Sequence, residues 1–324
     1  MSRFRSDLER RIAAWAAARQ GADELPVRLR RRRLYILPTR AGLGFAAAVL
    51  GMLLAALNYG NGTALALAGL LAGIALVAMH QCHRNLLELE IASAETTPTF
   101  AGGRGGLTLA LLNEARIARL RVQVDVAGAT RPAVVDLAPN TLARAELEVP
   151  AKRRGRLLLE RVRISTTYPF GLFRAWTWLN ASLAIVVFPQ PRGARPLPAP
   201  QGIRHDSRRA GGGGEQDEWR GLRPFRDGDS PRQVAWKAYA RGAPLLVKEY
   251  ASSGTGQRLL DFGRLPGLDA EARLEQLARW IVDADALGER YGLVLPGREF
   301  GADRGTEHRR RALTALALHG LEAP

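Results

Sequence analysis

The sequence predicts an α+β membrane protein with a two-helix transmembrane hairpin, an immunoglobulin-like β-sandwich and a small α/β unit at its C-terminus. Three observations support this fold class. Residues 41–83 contain no Asp, Glu, Lys or Arg. From residue 84 the apolar residues recur with a period of two, as in half-buried strands. After residue 257 strand patterns alternate with helix patterns, which is typical of a small α/β unit.

The uncharged segment divides into two apolar runs, Ala41–Leu57 and Thr63–Met79, on either side of the turn-forming Asn58–Gly62. A bilayer core about 30 Å thick requires about 17–25 helical residues. We therefore expect spanning helices at about 41–59 and 62–80. A buried hairpin in a soluble protein is the alternative, but such helices usually show a polar face.

Basic residues predict the orientation of the hairpin. Residues 1–40 hold eleven Arg against four acidic residues, including the unbroken run Arg30–Arg33, whereas the turn is uncharged. Since basic flanks stay on the cytoplasmic side, we expect both termini in the cytoplasm. The net charge of +16 is concentrated beside the hairpin, which favours contact with anionic lipid over nucleic acid. The single cysteine, Cys82, agrees with a reducing compartment.

Residues 1–40 form a basic cytoplasmic N-terminal segment in this interpretation. Ser6–Glu9 has the pattern of a capping box, and Leu8, Ile12 and Trp15 lie on one helical stripe. The stripe predicts an amphipathic helix that either lies on the membrane surface or packs on the protein itself.

Residues 84–190 are predicted to form the β-sandwich, because about seven short strands follow one another between turn signals. The segments with strand periodicity are 87–91, 107–111, 120–126, 147–149, 157–165, 174–179 and 184–188. Tyr168–Phe173 is distinctive, since aromatic residues surround a Pro and a Gly. It either fixes a corner of the chain into the core or docks a partner.

A Pro- and Gly-rich linker is predicted at 191–214, followed by a C-terminal region at 215–324. In that region Ser230 and Pro231 suit an N-cap and a first helical residue, so a short helix is expected as far as Arg241. The patterns that follow are a strand at Leu245–Val247, a strand at Arg258–Phe262, a helix with Leu274, Leu277, Ile281 and Ala284 on one stripe, a strand at Tyr291–Leu295, and a helix at Glu307–His319.

Several segments are shared with a known family. They are Tyr35–Leu43, Asn58–Tyr59, Tyr168–Phe173, Gly221–Lys237, Ala240–Arg241 and Lys248–Tyr250. With these segments the chain resembles domain-of-unknown-function family fifty-eight, whose members are bacterial membrane proteins. The resemblance implies a place in the bacterial inner membrane and a C-terminal unit like a degenerate von Willebrand A domain. It also implies partnership with a MoxR-type AAA+ ATPase and with a transglutaminase-like membrane protein.

The resemblance also bears on metal binding. Such A domains often hold a divalent cation through Asp-x-Ser-x-Ser after the first strand, whereas this chain has Asp261–Leu265 with Gly263 and Leu265 at the hydroxyl positions. One carboxylate is not enough for Mg²⁺, which requires several oxygen ligands. We therefore expect no metal at this site and no cofactor in the chain.

Residues 218–241 are unusually rich in charged and aromatic side chains for a turn. The candidate partner surface consists of Trp219, Arg223, Phe225, Arg226, Asp227, Asp229, Arg232, Trp236, Lys237 and Arg241. These residues either form a paired internal network or present aromatic anchors to a partner. Catalysis by Asp227 or Asp229 is a further alternative, although no nucleophile or base accompanies them.

Two other clusters contain residue types of functional sites. His80, Cys82 and His83 are types that bind soft metals, but their spacing does not match the usual zinc motifs. His205–Ser207 contains the residue types of a catalytic triad, but a triad is defined by geometry rather than by adjacency in sequence. We interpret both as chance.

The sequence as a whole predicts a non-enzymatic adaptor or assembly factor anchored in the inner membrane, with the ATPase partnership implied by the resemblance alone. The first alternative is an enzyme at the cytoplasmic membrane face that uses Asp227 and Asp229. The second is a binder of anionic lipid or nucleic acid, whose binding would depend steeply on salt.

Overall fold

The structure, a computed structural model, describes residues 23–159, 161–200, 218–225, 234–242, 244–251 and 257–321. The chain divides into unit 1, Met1–Gln190 with Thr314–Pro324, and unit 2, Pro191–Leu313. Helices and strands both contribute, so the mixed α+β class is confirmed. The helices of the described part are α1 (Arg40–Asn58), α2 (Gly62–Leu86), α3 (Trp236–Tyr239), α4 (Ala270–Ala286) and α5 (Thr306–Leu318), with 3₁₀ turns at Arg31–Arg33 and Phe262–Arg264.

Helices α1 and α2 form the predicted apolar hairpin. Both are long and apolar enough to cross a membrane, and only 11% of the apolar stretch of each is buried inside the protein. Each helix begins with a side-chain cap. Thr39 Oγ1 accepts a hydrogen bond from Gly42 N at 3.0 Å, and Asn61 Oδ1 accepts one from Ala64 N at 3.1 Å.

Helix α2 continues to Leu86, so its predicted end near residue 80 is wrong. Polar residues extend the helix beyond the apolar run because Cys82, Asn85 and Leu86 are buried in unit 1. Glu88 then turns the chain with a φ of 61°. The next strand therefore begins at Glu90 and not at residue 87.

The described residues of unit 1 form three sheets. Its strands are β1 (Val27–Arg28), β2 (Tyr35–Pro38), β3 (Glu90–Thr97), β4 (Thr99–Phe100), β5 (Arg104–Asn113), β6 (Arg119–Val126), β7 (Ala133–Leu137), β8 (Thr141–Pro150), β9 (Gly155–Leu159), β10 (Val162–Thr166), β11 (Phe173–Leu179) and β12 (Leu183–Phe188). Two antiparallel sheets have the orders β1-β3-β5-β8 and β2-β11-β10-β6-β7. A smaller sheet has the order β4-β12-β9, in which β4 and β12 are parallel.

Alternate residues of the two large sheets point into one shared core. Leu107, Leu109 and Leu111 of β5 are fully buried in it, as are Val122 and Val124 of β6. This alternation is the strand period of two that the sequence shows. Burying an aliphatic side chain of this size contributes about 1.5–3 kcal/mol, so this core is the main source of stability in unit 1.

Several boundaries in unit 1 differ from the prediction. The predicted strand 157–165 is divided into β9 and β10, which belong to different sheets. The predicted N-terminal segment 1–40 contributes β1 and β2, because distant residues such as Val27 and Ile91 pair with each other. The predicted amphipathic helix, with its stripe from Leu8 to Trp15, lies outside the described residues.

Two small sheets lie in the described part of unit 2. Its strands are β13 (Glu218–Pro224), β14 (Leu246–Ala251), β15 (Arg258–Asp261), β16 (Tyr291–Leu295) and β17 (Arg298–Asp303). β13 and β14 are antiparallel, β15 and β16 are parallel, and β17, which was not predicted, is antiparallel to β16. The predicted apolar stripe of α4 is buried and consists of Leu274, Leu277, Ile281 and Ala284.

The beginning of the predicted linker 191–214 is chain without helix or strand that packs on α4. Gln276 of α4 accepts a hydrogen bond from Arg195 N at 3.0 Å through Oε1, and donates one to Arg195 O at 3.1 Å through Nε2. Trp280 Nε1 donates to the same carbonyl at 3.1 Å. A Pro-rich composition therefore marks an extended segment that packs on a helix of its own unit.

Candidate functional site

The predicted partner surface lies partly within the described residues. The members outside them are Arg226, Asp227, Asp229 and Arg232. Trp219 and Arg223 lie on β13. The other described members of the surface are Phe225, Trp236, Lys237 and Arg241. The paired network that would join the two aspartates to arginines therefore stays a prediction, while the side chains of Phe225 and Trp236 are described.

The helix predicted to reach Arg241 is wrong in its extent. Val234 forms an antiparallel bridge with Val247 of β14, so its backbone is extended there, and the helix is Trp236–Tyr239. Both valines are buried. Valine favours extended backbone, so α3 does not begin before this pairing ends; the predicted N-cap Ser230 and Pro231 lie outside the described residues. The bridge attaches α3 to the β13–β14 sheet.

An exposed aromatic pair flanked by cations lies on α3. Trp236 is 56% exposed and Tyr239 is 53% exposed, and their rings meet edge to face with centroids 6.4 Å apart. Lys237 and Arg241 are exposed beside them. We call Trp236, Lys237, Tyr239 and Arg241 the aromatic–basic surface. Tyr239 is not among the predicted residues, although its spacing of three residues from Trp236 places the two on one helical face.

A buried asparagine joins the end of α2 to the second sheet of unit 1. Asn85 Nδ2 donates to Leu120 O at 2.7 Å and to Thr166 Oγ1 at 2.9 Å, while Asn85 Oδ1 accepts from Leu120 N at 3.0 Å. The side chain thus pairs with the backbone of β6 much as a neighbouring strand does. This pairing fixes the rotation of α2 about its axis.

A buried arginine completes this connection. Arg119 of β6 is 2% exposed; its Nη1 donates to the carbonyl oxygens of Arg84 at 3.2 Å and Asn85 at 3.0 Å, and its Nε donates to Asn113 Oδ1 at 2.7 Å. The two carbonyls belong to the last turn of α2, where the helix dipole is negative. Burial lowers the pKa of Arg119, and the Glu88 carboxylate opposes this change. The guanidinium stays charged at neutral pH, so it neutralises the helix end. We call Arg119, Asn85 and Asn113 the Arg119 network.

Helix α1 is joined to unit 1 by a close approach of backbones. Thr39 N donates to Leu172 O at 2.8 Å. A Cβ atom added to Gly42 would lie 1.9 Å from the same oxygen, so no larger residue fits there. Tyr168–Phe173 is therefore a corner that contacts the first turn of α1. None of its residues is buried, so its fixing into the core is not confirmed, and the docking of a partner stays a prediction. Phe170 at its tip is 65% exposed.

The other clusters singled out in the sequence do not form a recognisable site in the described part of the chain. Cys82 is buried, with its Sγ 3.7 Å from Thr166 O and 3.6 Å from Phe173 O. Asp261 accepts a hydrogen bond from Gly263 N at 2.7 Å, which caps a short turn. Among the described residues, no group of three or more His, Cys, Asp or Glu is arranged to hold a metal ion. His205–Ser207 lies outside those residues.

The chain matches no protein-family model, and no curated protein matches it. The resemblance to family fifty-eight and its functional implications therefore stay predictions. Three described features of the chain bear on its function: the exposed apolar hairpin, its two junctions with the sheets of unit 1, and the aromatic–basic surface of unit 2.

Proposed function

We propose that this chain is a non-enzymatic adaptor anchored in the bacterial inner membrane. In this proposal the hairpin crosses the bilayer, the sheets of unit 1 lie at the cytoplasmic face, and unit 2 binds a partner protein through its aromatic–basic surface. An immunoglobulin-like sandwich in unit 1 and a von Willebrand A-like arrangement in unit 2 belong to the same proposal.

The observation that carries this proposal is the exposed apolar surface of the hairpin. The exposed aliphatic side chains on α1 and α2 include Leu43, Leu50, Leu54, Leu57, Leu70, Leu76 and Val77. Contiguous apolar surface of this kind marks a membrane or a partner interface. Two helices that satisfy their own backbone hydrogen bonds and return through a short turn suit the bilayer core.

The charge at the two ends of the hairpin supports the orientation. Arg30–Arg33, Arg40 and Arg84 lie at the end where the hairpin meets the sheets of unit 1, whereas the turn Tyr59–Asn61 carries no charge. Basic residues are retained on the cytoplasmic side of a bilayer. Both soluble units are therefore expected on the cytoplasmic side, with a few residues of the turn on the other.

The two junctions support anchoring as the role of the hairpin. Arg119 and Asn85 fix α2, and the approach of Gly42 to Leu172 fixes α1. A flexible tether would leave unit 1 free to turn against its helices, whereas buried and paired polar groups impose one arrangement. A rigid anchor suits an adaptor that must present a partner at a constant orientation.

The aromatic–basic surface supports a protein partner. Exposed Trp, Tyr and Arg are enriched in protein–protein interfaces, and aromatic anchors commonly dominate their energetics. The cations Lys237 and Arg241 favour an acidic partner. A MoxR-type ATPase is the first partner to test, since the resemblance implies it, and a transglutaminase-like membrane protein is the second.

A co-purification experiment tests the adaptor role. The full-length chain, extracted in mild detergent, is used as bait for the MoxR-type ATPase of the same organism. Replacing Trp236 and Tyr239 together with Ala is expected to lower recovery of the ATPase about tenfold or more, since two interface anchors are lost. Leu158→Ala, which truncates an exposed side chain of unit 1, serves as the control. Equal recovery with both variants, or no recovery with the native chain, would contradict the proposed partner.

A further inference from the structure

A groove of about 350 Å³ runs along the hairpin between α1 and α2. Every residue that lines it is apolar or glycine. The residues that define it best are Phe45, Val49, Ala72, Leu76, Leu172 and Phe173. The first four come from the two helices, and the last two come from the corner that covers the start of α1. The corner therefore borders the groove at the end that meets the sheets of unit 1.

The length of the groove distinguishes between occupants. On α1 it extends from Gly42 to Leu53, which corresponds to about 16 Å at a rise of 1.5 Å per residue. A bilayer core is about 30 Å thick, so the groove covers one leaflet. A third spanning helix would have to extend beyond both ends of the groove, but Leu172 stands in its way at the end beside the corner. An acyl chain, which ends at its headgroup beside the corner, has the matching length.

Basic side chains lie near the end of the groove that meets the corner. On α2 the groove residues Ala72 and Leu76 continue at helical spacing to His80 and His83, which lie on the same stripe. Arg31 and His80 lie close enough to His83 to act on it electrostatically. Residues 34–87 and 161–205 contain no Asp or Glu. Arg31 therefore offers a permanent cation to a phosphate group. The nearby Asp23 carboxylate is paired with Arg33, and the Glu88 carboxylate interacts with Arg119.

We propose that this groove binds one acyl chain of an anionic phospholipid from the cytoplasmic leaflet, with its phosphate at Arg31 and His80. The site depends on the proposed crossing of the bilayer by the hairpin. It makes one lipid a structural part of unit 1. The acyl chain of the lipid fills the groove between α1 and α2. Its headgroup lies beside the exposed Phe170 at the membrane interface.

Native mass spectrometry of the full-length chain tests this site. The chain is reconstituted into nanodiscs that contain equal amounts of dioleoyl phosphatidylglycerol and dioleoyl phosphatidylcholine, and the lipid retained after release is identified. We expect one phosphatidylglycerol per chain, preferred about tenfold over phosphatidylcholine because of the charge-assisted contact. Equal retention of the two lipids, or retention of neither, would overturn the proposal.

Two pairs of variants locate the lipid. Ala72→Phe places a ring in the groove and is expected to lower lipid retention about tenfold, whereas Ala66→Phe, on the same helix outside the groove, is expected to leave it unchanged. Ala46→Phe repeats the test from the opposite wall, in case Ala72→Phe disturbs folding. Replacing Arg31 and His80 with Gln is expected to remove the preference for phosphatidylglycerol. Equal retention in Ala72→Phe, Ala46→Phe and Ala66→Phe would overturn the proposed position.

A membrane-extraction control separates this inference from the proposed function. Each variant is washed with alkaline carbonate, and the fraction of the chain that stays in the membrane is measured. If the chain stays there while lipid retention is the same in every variant, the lipid site is wrong and the anchor stands. A native chain that leaves the membrane contradicts the anchor itself. If native mass spectrometry shows a dimer of the native chain, and Ala72→Phe abolishes that dimer, then the groove binds a second copy of the chain and the lipid site is wrong.

Discussion

The polar side chains buried at the end of α2 and the Tyr291 side chain buried in unit 2 differ in how their polar atoms are paired. At the junction, Arg119 and Asn85 donate hydrogen bonds to backbone or side-chain oxygens of neighbouring elements. In unit 2, Tyr291 is fully buried against His308 with ring centroids 4.7 Å apart. Among the described residues, no group forms a hydrogen bond with the Tyr291 hydroxyl.

This difference separates polar groups that determine geometry from those that only fill space. A buried polar side chain with paired atoms imposes one arrangement on the elements it connects, whereas an unpaired one contributes mainly the packing of its apolar part. Removal of Arg119 should therefore damage the attachment of the hairpin. Removal of the Tyr291 hydroxyl should have little effect on the stability of unit 2 near neutral pH.

Arg119→Met has the largest expected effect. It deprives the carbonyls of Arg84 and Asn85 and the side chain of Asn113 of a buried charged donor, which should lower the free energy of unfolding by about 3–5 kcal/mol. The measurement is chemical denaturation of the full-length chain in detergent, followed by tryptophan fluorescence. Arg116→Met, at an exposed position, should change stability by less than about 0.5 kcal/mol. Similar losses in the two variants would contradict a specific role for Arg119.

Gly42→Ala comes next and tests the junction of α1, which depends on shape instead of charge. The added Cβ would meet the Leu172 carbonyl oxygen at 1.9 Å, and overpacking of this kind costs about 1–3 kcal/mol. Gly44→Ala is the matched control on the same helix, because no atom lies within 4 Å of the added Cβ. It should be neutral or stabilising by up to about 1 kcal/mol. Equal melting temperatures for the two variants in detergent would contradict the close approach.

Tyr291→Phe has the smallest expected effect near neutral pH and the clearest one at alkaline pH. Burial raises the pKa of Tyr291, and the Asp285 carboxylate adds to this. The folded state therefore favours the neutral phenol, so the stability it contributes is complete below about pH 10, the ordinary tyrosine pKa, and decreases above it. Tyr291→Phe should reduce the loss of stability between pH 9 and 11.5 in denaturation experiments, while Tyr239→Phe, at an exposed position, should not. The opposite order would show that Tyr291 ionises without unfolding.

Local properties of the sequence explain what could be predicted of the fold. The hairpin is visible because charge is absent throughout residues 41–83, and the inward residues of β5 and β6 are visible through their period of two. Strand β2 was missed because Tyr35–Pro38 is short and pairs with β11, which is distant in sequence. The extension of α2 to Leu86 was missed for a similar reason, since its last turn is stabilised by residues of β6.

The candidate site was predictable in part. The aromatic and basic residues near Trp236 were predicted from the composition of this segment. Helical spacing adds Tyr239 to the surface once α3 is known. Arg119 was not predictable, because an Arg at the start of a strand normally lies in solvent. It becomes recognisable as a helix cap only when the end of α2 is seen next to it. The groove of the hairpin was not predictable either, because part of its wall comes from Leu172 in the corner, which is distant in sequence.

The most direct test of the central claim is the side of the membrane on which the turn of the hairpin lies. In a Cys82→Ala background, a single cysteine is introduced at Tyr59 in the turn, or at Val134, which is exposed on unit 1. Intact cells are treated with a membrane-impermeant maleimide, with its access to the periplasm confirmed. We predict labelling of Tyr59→Cys in intact cells and of Val134→Cys only after lysis. Labelling of Val134→Cys in intact cells, or protection of Tyr59→Cys, would contradict a hairpin that crosses the bilayer and holds unit 1 in the cytoplasm.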